Sequence, residues 1–299
     1  MGKLSLAVVI TLATGFALVE AVGCSSAYDA AADPSAGETS VTDPDGSATS
    51  DSASLVEGGG EAGSGLGCPS GRGPVMARVG GYCVDTTEIT QEQYLAFTQD
   101  KAGDTTGQKP ECAWNTAYGA GCGFNPSLRP TYPVEAVDWC DATAFCKWSG
   151  KRLCGGAEGI GTQNPSVLLQ TNANQWYSAC TGGGSLAYPY GEFYSAAACN
   201  GTELPRDGGP TGALPVATLA GCVGGFPGLH DLTGNVFEWV DFCSASTIEA
   251  GAPGAGDTCS VMGGNYTQGG VAQRCAYNNG YARNYSFCGF GFRCCADPK

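Results

Sequence analysis

Gly228-Leu-His-Asp-Leu-Thr-Gly-Asn-Val-Phe-Glu-Trp239 is the stretch on which the reading of this chain turns. Asp231 and Glu238 lie seven residues apart around a Gly-Asn turn. The chain can fold back there and aim both carboxylates, with the carbonyls of Gly234 and Val236, at one hard cation. An all-oxygen set of this kind suits calcium. The spacing alone also allows a solvated turn with Trp239 packed in the core.

Outward from this stretch the chain divides by composition. The N-terminus carries Lys3, an apolar run from Leu4 to Val19 and small residues leading to Cys24. That run is short for a bilayer span and a polar stretch follows, so an export signal is expected. The residues before Cys24 read as a lipoprotein-type signal, residues 1–24, which predicts lipidation of Cys24 and a membrane anchor. Ordinary secretion with cleavage nearby is the alternative. Residues 25–66 hold eight acids, one aromatic and no lysine or arginine, too little apolar surface to fold. They are expected to be an acidic Ser/Gly/Ala tether. Much of the formal net charge of −14 sits in it, and acidity of this kind argues against nucleic acid as a partner.

Residues 67–299 are expected to form one domain. Seventeen cysteines less Cys24 leave an even set between Cys68 and Cys295, which in an exported chain predicts up to eight disulfides. No Cys-x-x-Cys spacing supports a cysteine-bound structural metal. Proximity suggests Cys68 with Cys83 and Cys112 with Cys122. Glycine, at 48 of 299 residues, predicts a loop-rich domain. Thr90-Gln-Glu-Gln93 is a capping box flanked by Ile89 and Tyr94 as a staple, so a helix should run over about residues 91–99. Asp138 can cap a second helix with Phe145, Cys146 and Trp148 inward and Gly150 at its end. A third, short helix fits residues 175–180. Residues 77–84 and 261–266 read as short strands between glycines. The class is α+β.

The motifs Thr87-Glu-Ile-Thr-Gln-Glu-Gln-Tyr94, Tyr132-Pro-Val-Glu-Ala-Val-Asp-Trp139, Ala144-Phe-Cys-Lys-Trp-Ser-Gly-Lys-Arg-Leu153, Tyr188-Pro-Tyr-Gly191, the opening stretch, Met262-Gly-Gly-Asn-Tyr266 and Gly291-Phe-Arg293 occur in that order. Together they resemble the formylglycine-generating enzyme, or sulfatase-modifying-factor, domain over nearly all of residues 80–297. The resemblance implies a compact, loop-rich variant of the C-type-lectin fold with structural calcium. By position it places one calcium on the side chains of Asp231 and Glu238 and the carbonyls of Gly234 and Val236. A second calcium would fall near Asn200, Gly201 and Asp207, where the match is looser. The resemblance also implies disulfides Cys146–Cys294 and Cys180–Cys275.

Active members of that family oxidise a sulfatase cysteine to formylglycine with molecular oxygen and copper held by two cysteines. Thiolates select monovalent copper, so that pair is the chemical core. In this chain the corresponding run, Gly263 to Cys275, has no earlier cysteine and carries Asn265 where serine is usual. Copper catalysis is therefore not expected. An iron site of the three-histidine type is not expected either, because His230 is the single histidine. What remains is a tyrosine- and amide-rich segment, with Asn265, Tyr266, Gln268, Arg274, Asn278, Tyr281 and Arg283 as the candidate ligand groove. It reads as a surface for a peptide, glycan or envelope protein, against the plainer reading of a glycine-rich solvated loop. The alternative function is an oxygen-dependent oxidoreductase acting through a divergent site.

Overall fold

Helix α1, Gln91–Lys101, begins where its capping box dictates. The Thr90 hydroxyl accepts from the Gln93 amide at 3.3 Å while the Gln93 side chain accepts from the Thr90 amide at 3.0 Å. Helix α2, Trp139–Trp148, opens on Asp138, whose carboxylate accepts from the Asp141 amide at 2.9 Å. Helix α3, Gln175–Cys180, is capped by Asn174. In this computed structural model the described residues are 67–156, 165–205, 212–244 and 254–299. All belong to one compact unit, Glu61–Lys299. The signal segment with Cys24, the tether and Asp207 lie outside the described residues.

Among the described residues ten short strands complete the α+β architecture: β1 Met76–Val79, β2 Tyr82–Asp85, β3 Arg152–Leu153, β4 Val223–Gly224, β5 Phe226–His230, β6 Phe237–Ser244, β7 Thr258–Met262, β8 Asn278–Ala282, β9 Phe290–Phe292 and β10 Cys294–Ala296. They form two four-stranded sheets, β1-β2-β10-β3 and β8-β7-β6-β9, and the hairpin β4-β5. Two strand expectations need correction. Residues 77–84 are an antiparallel hairpin rather than one strand, because Gly80 at φ +55° lets the chain reverse between Val79 and Tyr82. The second strand ends at Met262, and Gly263 and Gly264, both at positive φ, turn the chain away.

Strand β6 separates two apolar clusters, and its two-residue period explains why. Phe237 and Trp239 enter a cluster with Phe97, Phe145, Trp139 and Phe290, while Val240 and Phe242 enter one with Trp176, Leu229, Leu232 and Met262. Buried on both faces, the strand reads as a nearly continuous apolar run with Glu238 and Asp241 embedded in it. The paired tryptophan N–H groups are satisfied across this layer, Trp139 by the Val240 carbonyl at 3.1 Å and Trp239 by the Val137 carbonyl at 3.0 Å.

All sixteen cysteines from Cys68 to Cys295 are joined: Cys68–Cys83, Cys112–Cys140, Cys122–Cys288, Cys146–Cys294, Cys154–Cys295, Cys180–Cys275, Cys199–Cys222 and Cys243–Cys259. Cys112 does not pair with Cys122. It lies on the 3-10 turn Pro110–Cys112 against Cys140 of α2, and Cys122 reaches Cys288 instead.

Candidate functional site

The turn between β5 and β6 is built from strained backbone held by long-range hydrogen bonds. Asp231 and Asn235 sit at φ +55° and +54°, and Gly234 between them at +72°. A side chain at Gly234 would strike the Asn200 carbonyl, so the turn needs glycine on both grounds. Asn235 is the hub. Its amide donates to the Asn200 carbonyl at 2.9 Å, its side-chain oxygen accepts from Asn200 and from the Leu214 amide at 2.8 Å each, and its Nδ2 donates to Glu88 at 2.8 Å. The Gly234 amide donates to the Gly263 carbonyl at 2.9 Å and the Tyr266 amide to the Asn235 carbonyl at 3.0 Å, which fastens the turn to the Met262-Gly-Gly-Asn-Tyr266 element.

Three buried carboxylates gather here around one guanidinium. Glu238 accepts from Arg293 on both oxygens, at 2.7 Å from Nε and 2.7 Å from Nη2, and also from Trp176 Nε1 at 2.7 Å. Arg293 completes its donors with the Asp85 carbonyl at 3.1 Å and the His230 carbonyl at 2.8 Å. Burial opposes its charge, but Glu238, Glu88 and Asp231 outweigh that and hold it charged above the usual arginine value. Glu88 accepts from Asn235 and, at 3.2 Å, from the Val236 amide. Burial first, then the charges of Asp231 and Glu238, push the Glu88 carboxyl well above its ordinary range. Asp231 accepts from the Ala217 amide at 2.6 Å and is raised by burial.

Three acids against one arginine is an acid excess, which fits an additional cation. The expected donor set is only partly presented, because Glu238 spends both oxygens on Arg293 and Trp176. Among the described residues no three acidic, histidine or cysteine side chains converge as a metal centre. A calcium would therefore lean on Asp231 and on the carbonyls of Gly234 and Val236. Sequence reasoning missed Glu88 and Arg293, although both lie inside motifs it singled out. At the second expected calcium position, Asn200 is buried, and its Nδ2 bonds the Gly212 carbonyl at 3.0 Å as well as Asn235. Gly201 packs against Gln273 with no room for a side chain.

The candidate groove residues divide. Asn265 is buried, donating to the Gly289 carbonyl at 3.3 Å and accepting from the Thr267 amide at 2.9 Å. Arg283 is also buried rather than displayed, paired with Asp257 at 3.2 Å and lying over the Trp139 ring at 4.8 Å. Tyr266, Gln268, Asn278 and Tyr281 are half-buried, and Arg274 is exposed. Gln268 donates to the Tyr277 hydroxyl at 3.2 Å, as Asn279 does at 3.3 Å, while the buried Gln268 Oε1 has no partner. Arg274 donates to the Tyr188 hydroxyl at 3.3 Å. Burial and the neighbouring Glu135 push the Tyr266 hydroxyl up to about 12, so it stays a neutral donor at physiological pH.

A family model described as the sulfatase-modifying factor enzyme 1-like domain matches residues 33–298. This chain belongs to that family. A family relative, the formylglycine-generating enzyme of Thermomonospora curvata, is 28% identical over 288 residues, covering 76% of this chain and 86% of that one. The formylglycine-generating enzyme of Bos taurus is 29% identical over 188 residues, 56% of this chain and 45% of its own length. The inactive C-alpha-formylglycine-generating enzyme 2 of Bos taurus is 32% identical over 134 residues, 42% of this chain and 37% of its own. The chain thus spans under half of the two bovine relatives. Among solved structures, CarF superposes with a TM-score of 0.49 at 19% identity, covering 78% of this chain and 98% of that one.

The copper of the active enzymes does not fit this member of the family. The run from Gly263 to Cys275 contains no earlier cysteine, and Cys275 is bonded to Cys180. Among the described residues every cysteine sulfur is in a disulfide, which leaves no thiolate to bind monovalent copper.

Proposed function

We propose that this chain is an exported, lipid-anchored member of the sulfatase-modifying factor family that no longer oxidises cysteine through copper. It serves as a disulfide-stapled, calcium-stabilised domain that binds a peptide, glycan or envelope protein. The observation that carries this reading is the full pairing of sixteen cysteines around a cysteine-free run before Cys275. A family relative named as inactive is in keeping with it. The ligand face takes Tyr266, Gln268, Arg274, Asn278 and Tyr281 beside Tyr277 and Asn279, and the unpartnered Gln268 Oε1 supplies an acceptor for an incoming donor.

The test is oxygen uptake by the reduced-copper-loaded protein with a cysteine-containing sulfatase-motif peptide. The expected rate equals that of a heat-unfolded control, and thiol titration in denaturant should find no free sulfur within residues 67–299. Peptide-dependent oxygen consumption above the control overturns the reading in favour of a divergent oxidase site.

Calcium is proposed at the β5–β6 turn because, among the described residues, the acids gathered at Arg293 outnumber the cations that face them. Calcium at about 100 times its dissociation constant would stabilise the fold by about 2.7 kcal/mol. Chelation should then lower Tm by roughly 5–10 °C in a domain of this size. A thermal scan with and without EDTA that superimposes would remove calcium from the account.

A further inference from the structure

A cleft walled by residues 108–153 and by Asp241 of β6 gathers several positive charges of an acidic protein. Four of the fourteen lysines and arginines, Lys109, Lys147, Lys151 and Arg152, line a cavity of about 230 Å³. Among the described residues its lining includes one acid, Asp241. A neighbouring depression of about 260 Å³ shares Lys147 and adds Lys101. In a chain of net charge −14 such a grouping is not the surface average.

Two of the four cations are already neutralised. Lys109 pairs with Asp241 at 3.1 Å and rests 4.8 Å from the Trp139 ring centroid, and Lys151 pairs with the buried Asp85. The other two keep unmet capacity, Lys147 in charge and Arg152 in hydrogen-bond donors. Lys147 donates to the Gly107 carbonyl at 2.6 Å, and among the described residues no carboxylate pairs with it. Arg152 gives Nη2 to the exposed Asp297 at 2.7 Å, but its Nε and Nη1 are buried without an acceptor. Buried guanidinium donors left unpaired are costly, so an acceptor arriving in the cleft would gain both a charge partner and the relief of that deficit.

Three of the four cations come from separate elements, Lys109 from the loop before the 3-10 turn, Lys147 from α2 and Arg152 from β3. The disulfide Cys112–Cys140 fastens the loop to α2 at the wall of the cavity. Cations held on one pinned frame can meet several oxygens of one anion, and a phosphate brings more charge and more acceptor oxygens than a single carboxylate. We propose that this cleft binds a phosphate-bearing small molecule, with Lys147 and Arg152 as the residues that hold its phosphate.

Calorimetric titration of the intact protein with pyrophosphate at low salt tests this, with citrate as the carboxylate control. Pyrophosphate is expected to bind, citrate to bind at least tenfold more weakly, and Lys147→Gln and Arg152→Gln each to weaken pyrophosphate about tenfold. Lys147 is exposed on α2, so its variant should keep the wild-type Tm and circular dichroism; should Arg152→Gln fail to fold, Lys147→Gln decides alone. Absence of pyrophosphate binding to the wild type, binding that Lys147→Gln leaves unchanged, or equal affinity for citrate overturns the proposal.

Discussion

Replacing Arg293 with methionine is expected to cost about 3–5 kcal/mol of folding stability, the penalty for breaking a buried ion pair from one side. Arg293 is fully buried and is the shared counter-charge of Glu238, Glu88 and Asp231. Its removal leaves three buried carboxylates facing one another and strips the bonds that the Asp85 and His230 carbonyls receive. Glu88 and Asp231, both raised by burial and both held down by the Arg293 charge, must then take up protons to remain buried. An acid whose folded-state pKa is raised above its unfolded value binds its proton more tightly in the folded state. The stability it contributes is present at low pH and is lost as pH rises through the raised value. Removing Arg293 takes away a charge that lowers Glu88 and Asp231 and so raises both further in the variant alone, and the deficit should be smaller at pH 5 than at pH 8. Arg293→Lys keeps the charge without the two-pronged geometry and should fall between the two. Guanidinium unfolding followed by tryptophan fluorescence, in EDTA at both pH values, measures this. A loss below about 1 kcal/mol, the scale of an exposed pair, would mean that the cluster is not the electrostatic centre of the turn.

The same cluster shows why part of the site was legible in the sequence and part was not. A capping box or a helix-capping aspartate acts over three residues, so Thr90 with Gln93, and Asp138 with Asp141, announce α1 and α2 locally. The turn itself was visible through Gly234 and Asn235. Its partners were not, because Glu88 reaches Val236 across 148 positions and Arg293 reaches the Asp85 carbonyl across 208. No periodicity encodes such a pairing. Sequence distance misled in the same way at Cys112, which passes over Cys122 for Cys140. It worked for Cys68 and Cys83 because the β1–β2 hairpin brings Cys83 back toward the start of the domain. Composition alone assigns Arg283 to a binding surface. Asp257 and the face of Trp139 give it a buried place that only the folded chain reveals.

Removing Cys146–Cys294 and Cys154–Cys295 together should destabilise the domain by more than the sum of the two single removals. The bridges run side by side, with ends eight residues apart at Cys146 and Cys154 and adjacent at Cys294 and Cys295. While one is intact, the other closes a ring of only about ten residues, which in the chain-entropy account is worth about 3 kcal/mol. With the first gone, the second no longer closes that small ring. The next enclosing link is Cys122–Cys288, so the ring grows to about thirty residues and the second removal costs about 4 kcal/mol. The double loss, about 6–7 kcal/mol, is comparable with the whole stability of an ordinary domain. It would also detach β10, the strand that joins β2 to β3 in the first sheet. Cysteine-to-alanine singles should therefore fold with a lowered Tm, while the four-alanine variant should lose cooperative unfolding and near-ultraviolet circular dichroism. A double variant that unfolds as cooperatively as the singles, with additive losses, would show that the remaining six bridges and the two cores hold β10 without them.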